Sequence, residues 1–252
     1  MMRRAGQLAC HVLAKMREAA VAGISTGELD MIAREEMLRE GAVSGSRNYP
    51  TYEEGKGFPG WTCVSINEEI VHGIPGKRVL KDGDVVSLDV ALHLNGYCAD
   101  NCATVAIGKV SPVAQKLLDV TKATLSIAIE NIRPGRRWSE IARLIQRNVE
   151  SNRFAVVREF VGHGIGRQMH EDPKVPNFVT GEGLRGDFEL RPGMTLAVEP
   201  MVVVGKRDVK SLKDNWTMVT VDGKPAAHFE HTVAVTDVGV DVLTDGRRPF
   251  TL

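Results

Sequence analysis

Apolar residues recur every three to four positions over residues 2 to 22, broken by Gln, His, Lys and Arg, and this spacing predicts an amphipathic helix. Ser25 with Glu28 forms a capping-box pattern and predicts a second helix to about Arg39. Ser111-Pro112 marks the start of a third, to about Ile132, and Pro134-Gly135 separates it from a fourth over roughly Trp138–Ser151. Strand patterns lie between these helices and dominate the C-terminal third. The clearest is VSLDVALHLNGYCADNCATVAIG, Val86 to Gly108, where Asn95-Gly96 between two apolar runs predicts a two-residue β-hairpin.

Each arm of that hairpin carries an acid, Asp89 and Asp100, among apolar neighbours. With Asn95-Gly96 as the turn, Leu94 pairs with Tyr97 and Ala91 faces Asp100. Asp89 then shares a face with Asp100, the two Cα atoms about 7–8 Å apart, so both carboxylates can reach one cation. A slip of one residue would put them on opposite faces. Strand acids are commonly solvent-facing, but Glu199 in TLAVEPMVVV and Glu230 in AAHFEHTVAV also interrupt apolar runs. Four buried carboxylates need four positive charges, which two divalent cations supply.

The acids recur within a longer internal echo. GISTGEL matches GRRWSEI, each opening a helix; VHGIP around His72 resembles GHGIG around His163; LKDGDVVSLD matches LRPGMTLAVE; ADNCATVAIG resembles FEHTVAVTDVG. The order is the same in both runs. We therefore expect one catalytic domain over 1–252, built of two related α/β halves at about 1–110 and 111–252, with matching acids around a shared centre.

Composition narrows the class. Lys plus Arg and Asp plus Glu are equal at 32 each, so no global field draws the chain to DNA or an acidic membrane. No run of 18 apolar residues exists, and the N-terminus lacks a signal-peptide core. The four cysteines show no CxxC pair and are expected to be reduced thiols in a cytoplasmic protein. Cys98, Asp100 and Cys102 share a strand face, so a thiolate zinc site is an alternative, although the close Cys pairs of such sites are missing. VGHGIGRQMHEDP adds nitrogen donors, with His163 in a glycine-flanked turn and His170 seven residues on.

These motifs resemble those of the type I methionine aminopeptidases, within the wider pita-bread metallopeptidase group. The resemblance runs from about Arg3 to Leu243 and rests on SINEEIVHGIP, LKDGDVVSLDV, GYCADNCATV, GHGIGRQMHEDP, LRPGMTLAVEPM and FEHTVAVT. It implies an α/β (α+β) pita-bread fold: two pseudo-symmetric halves, with a curved antiparallel sheet covered by helices. It implies Asp89, Asp100, His163, Glu199 and Glu230 as ligands of two divalent ions (Co, Mn, Fe or Zn), with Asp100 and Glu230 bridging. It places His72 near the scissile nitrogen and His170 near the carbonyl oxygen, makes Glu199 the general base, and puts Phe58, Cys63, Met169 and Trp216 around the substrate side chain. The activity it implies is removal of N-terminal methionine from nascent polypeptides in the cytoplasm, by an enzyme expected to be a monomer.

Departures from the family pattern concern the pocket. In NYPTYEEGKGFPGWTC, a gapless alignment puts Tyr52 where a cysteine is usual and Gly55 where a tyrosine is usual, and Met169 stands where an aromatic is common. Asn101 replaces a usual threonine beside a ligand and is expected to adjust its surroundings. Lys206, Arg207, Lys210 and Lys213 precede Trp216, and the resemblance suggests a weak contact with ribosomal RNA there. An Xaa-Pro peptidase of the same fold is the nearest alternative, but that group usually carries an extra N-terminal domain for which the chain leaves no room. A binding module of this fold without catalysis would lack metal ligands, and all five are here.

Overall fold

The computed structural model describes residues 1–50, 57–181, 183–184 and 186–246. Its four helices are α1 (Met2–Ala19), α2 (Thr26–Arg39), α3 (Pro112–Asn131) and α4 (Trp138–Ser151). The first seven strands are β1 (Val43–Ser44), β2 (Cys63–Ile66), β3 (Glu69–Val71), β4 (Val85–Leu94), β5 (Tyr97–Ala106), β6 (Ala155–Val156) and β7 (Gly162–Gly164). The other eight described are β8 (Glu171–Val175), β9 (Thr195–Val198), β10 (Met201–Val203), β11 (Val209–Ser211), β12 (Met218–Thr220), β13 (Ala226–His228), β14 (Glu230–Val235) and β15 (Val240–Val242).

The helices follow their sequence signals. Ser25 accepts from the Glu28 backbone N–H while the Glu28 carboxylate reaches back to Ser25 N, and Ser111 caps α3 ahead of Pro112. Helix α1 stops at Ala19 rather than at residue 22. Gly23, at φ +102°, turns the chain so that its N–H bonds the Leu80 carbonyl, which a continued helix would forbid. The buried stripe of α1, Leu8, Val12, Leu13 and Met16, packs on β4 and β5. Trp138 opens α4 fully buried, its indole N–H bonded to the Pro176 carbonyl at 2.8 Å.

The main sheet has nine strands in the order β1-β4-β5-β14-β9-β7-β8, with β2 also on β4 and β15 also on β14; every recorded pairing is antiparallel. The hairpin register is the expected one: Leu94 faces Tyr97, Ala91 faces Asp100, and Asn95 and Gly96 both take positive φ. Strands β5 and β14 meet over only two residue pairs, Glu230 with Cys102 and His231 with Asn101.

On either side of that seam the same bonds recur. Gly23 N–H and Leu80 N–H exchange with Leu80 O and Ile24 O, as Gly135 and Leu190 do with Leu190 O and Arg136 O. Gly83 N–H bonds Ile107 O, and Gly193 N–H bonds Val235 O; both glycines have φ near +90°. Ile107 N–H returns to Asp84 O, and Val235 N–H to Met194 O.

Candidate metal centre and active site

Alternation along the strands decides which side chains meet. Asp89 on β4 has Cys63 of β2 on one side and Cys102 of β5 on the other. Asp100 is 8% exposed and Glu230 2%, and their backbones are tied by Thr232, whose hydroxyl accepts from Asp100 N–H and donates to Asp100 O. Glu199 follows β9, its carbonyl held by Asn177 at 3.0 Å. His163 sits in β7 between Gly162 and Gly164; its Nδ1 lies 2.9 Å from Gly164 O and its Nε2 3.6 Å from Glu199 Oε1. Donor atoms of Asp100, His163 and Glu230 lie within 4.8 Å of one another. The structure thus brings the five expected ligands together.

A cation fits this group on two grounds. Buried Asp100 Oδ1 and Glu230 Oε1 have no hydrogen-bond partner, a costly state unless another positive or donor group faces them. Among the described residues, none of the four acids pairs with a lysine or arginine; Glu199 and Glu230 have imidazoles beside them instead. Burial accordingly pushes Asp89 up to about 7, and burial together with repulsion from neighbouring carboxylates pushes Asp100, Glu199 and Glu230 well above their ordinary values. Burial moves the imidazoles the other way, His163 and His72 to about 4, leaving them neutral donors. The thiolate alternative finds no support in the geometry. Cys102 donates to His228 O and Cys98 to Arg167 O, and burial raises both thiols.

Beside the acids is a cavity of about 270 Å³. Phe58, Cys63, Met169 and Trp216 line it together with Asp89 and Asp100, and His72 and His170 stand on its wall. The Phe58 and Trp216 rings meet edge to face at 5.2 Å, and the His163 and His170 rings approach to 4.2 Å. His72 takes φ +59°, its ring edge-on to Phe160 at 5.4 Å. All the expected pocket residues are therefore at the cavity.

Three features of the site differ from the sequence reading or escape it. Tyr49 lines the cavity, and its hydroxyl lies 2.8 Å from His170 Nδ1; Pro50 next to it pairs directly with Gly57. Tyr52 and Gly55 lie outside the described residues. The Asn101 side-chain amide turns to the Thr244 carbonyl, in a separate cavity lined by Cys10 and His231. His228, whose position in AAHFEHT carries no pattern of its own, is 3% exposed, with Nε2 3.6 Å from Glu199 Oε2 and 4.0 Å from Glu230 Oε2.

A cage of buried acids and imidazole on a curved antiparallel sheet, opening on an apolar cavity, defines a metallopeptidase. The model described as Metallopeptidase family M24 matches residues 1–237, and the chain belongs to that family. Among its relatives, Methionine aminopeptidase 1 of Bacillus subtilis is 48% identical over 243 residues, covering 96% of this chain and 94% of that protein. The crystal structure of methionine aminopeptidase from Thermotoga maritima superposes with a TM-score of 0.89 at 40% identity, over 96% of this chain and 94% of that one. The Xaa-Pro dipeptidase from Bacillus anthracis shares the fold, at TM-score 0.74 and 22% identity, but this chain spans only 59% of it. The fold is the pita-bread fold of these structures. Among the described residues, no helix is long and apolar enough to cross a membrane.

Proposed function

We propose that this chain is a methionine aminopeptidase that hydrolyses the first peptide bond of new polypeptides at a centre of two divalent cations. The observation that carries this reading is the convergence of buried acids and His163, with orphaned carboxylate oxygens, behind an apolar cavity that Asp89 and Asp100 line. Asp89, Asp100, His163, Glu199 and Glu230 would hold the ions. Asp100 and Glu230 would reach them from the adjoining strands β5 and β14. When bound, such ions supply Lewis acidity to the peptide carbonyl and a water nucleophilic near neutral pH. Four carboxylates and an imidazole suit Mn, Fe or Co, with Zn also able to bind.

The side chains then have distinct tasks. Glu199, between His163 and His228, takes the proton of the attacking water and carries it toward the leaving amine. His170, its Nδ1 beside the Tyr49 hydroxyl, presents Nε2 to the developing oxyanion. His72 stands by the scissile nitrogen. Phe58, Cys63, Met169 and Trp216 exclude water and seat the first side chain, for which unbranched, polarisable methionine is apt. The whole of 1–252 acts as one catalytic unit, with halves at about 1–110 and 111–252 each supplying acids. An enzyme of nascent chains would act in the cytoplasm, and we read this one as a monomer. Lys206, Arg207, Lys210 and Lys213 are exposed near Trp216 and offer a weak, salt-sensitive contact to ribosomal RNA.

The test is release of the first residue from Met-Ala-Ser, Leu-Ala-Ser and Ala-Pro-Ser by metal-stripped protein reloaded with Mn, Fe, Co or Zn. Cleavage of the methionyl peptide alone is expected. Cleavage only before proline would make the chain an Xaa-Pro peptidase, and no turnover with any metal would make it a binding module.

A further inference from the structure

Glu199 is flanked by two imidazoles at equal distance: His163 Nε2 lies 3.6 Å from Oε1, and His228 Nε2 lies 3.6 Å from Oε2. The first has an expected role as a ligand. The second has none, yet His228 is 3% exposed and its Nε2 is buried without a hydrogen-bond partner. An unsatisfied nitrogen in such surroundings is costly. The backbone around it is tightly fixed. His228 N–H donates to Thr104 Oγ1 and its carbonyl accepts from the same hydroxyl, both at 2.8 Å, while Thr104 is paired with Ser87 Oγ at 2.8 Å. His228 also pairs with Met201, two residues beyond Glu199. The ring is thus carried on an anchored strand end and faces the carboxylate.

We propose that His228 is a positioning residue, donating an Nε2–H hydrogen bond to Glu199 Oε2 and so keeping Oε1 turned toward His163. This role rests on the reading of Glu199 as ligand and base. A carboxylate free to rotate would share its two oxygens between neighbours; one held at Oε2 presents a single oxygen to the ion and to the attacking water. Closing the 3.6 Å gap to about 3 Å, a normal hydrogen-bond length, needs only a small side-chain shift. Second partners of this kind orient ligands and, when removed, cost about 10–100-fold in metal affinity or activity.

The test compares His228→Leu, which keeps the bulk without a donor, with His228→Gln, whose amide donates at similar reach; His228→Met serves as a second donor-free side chain should the leucine variant fail to fold. Mn(II) uptake by the metal-stripped proteins is followed by calorimetry, and kcat and KM by Met-Ala-Ser cleavage. We expect His228→Leu to weaken uptake of one ion and lower kcat by about tenfold or more with KM little changed, and His228→Gln to recover most of both. Parent-like uptake and turnover in the donor-free variants would overturn the role. Equal loss in Leu and Gln would overturn the hydrogen bond in favour of direct ligation. A parent protein that takes up no Mn(II) would overturn the metal-centre reading itself.

Discussion

Stripping the divalent ions from this chain should make its stability fall as pH rises above about 6.5, and restoring them should remove most of that fall. In the metal-free protein burial holds Asp89 at about 7 against an ordinary 3.8, and burial and neighbouring carboxylates hold Asp100, Glu199 and Glu230 well above their ordinary values. Each therefore binds more protons folded than unfolded, and stability is lost as pH rises toward the folded value. The buried histidines act in the opposite sense. His72, His163 and His231 are lowered to about 4 and His228 to about 3, from 6.5, so their contribution is lost as pH falls below about 6.5. Between about pH 4 and 6.5 four acids and four imidazoles offset each other. Above that window the imidazoles are neutral in both states and only the acids remain. Each carboxyl still protonated then removes about 1.4 kcal/mol per pH unit. One such group, over one pH unit, removes a noticeable part of a typical margin of about 5–15 kcal/mol. For a chain of this size each loss of about 1.4 kcal/mol lowers the melting temperature by about 3–6 °C. Melting curves in chelator and in excess Mn(II) across this range, with calorimetry in two buffers to count protons displaced on binding, provide the assay. A metal-free melting temperature that stays level above pH 6.5, with no protons released by Mn(II), would refute the buried acid cluster.

Asp100→Ala removes a carboxylate from the seam and should leave fewer than two ions bound, with kcat down at least a hundredfold; full loading by elemental analysis with retained turnover would sink the bridging role. Gly162→Ala places a Cβ against the Ala197 carbonyl oxygen across the β7·β9 ladder, and should cost about 1–3 kcal/mol in melting while weakening metal uptake through displaced His163; Gly76→Ala, with open space around it, is the neutral control. Tyr49→Phe frees His170 Nδ1 and should reduce kcat about tenfold at unchanged metal content, the size of loss typical of an orienting partner. Reversing Lys210 and Lys213 to glutamate should lower ribosome co-sedimentation at low salt without altering tripeptide cleavage; undiminished binding would dispose of the RNA contact.

The hairpin shows what sequence can carry. Asn95-Gly96 sets a two-residue turn, the turn sets the pairing, and strand alternation then aims Asp89 and Asp100 to one side, all by local rules. The same alternation, followed one residue further, puts Asn101 on the opposite face, where it meets Thr244 rather than the acids. Tyr49 was hidden for a different reason: its partner His170 lies 121 residues along the chain, and nothing local announces that contact. His228 depends on how β13 hands over to β14 at Phe229, and a tertiary bend of that kind leaves no periodic trace. Helix starts were legible because caps are local chemistry, whereas the end of α1 was decided by Leu80, far along the chain.

The narrow seam between β5 and β14 bears on how the protein matures. Asp89 and Asp100 come from the first 110 residues and His163, Glu199 and Glu230 from the rest, so nothing in either stretch alone can retain a pair of divalent ions tightly. Ion capture waits until the two sides of the sheet have joined across two residue pairs. On the proposed reading of these residues as ligands, a chain emerging in stages would gain its full ligand set only once its last acid, Glu230, has docked beside Cys102.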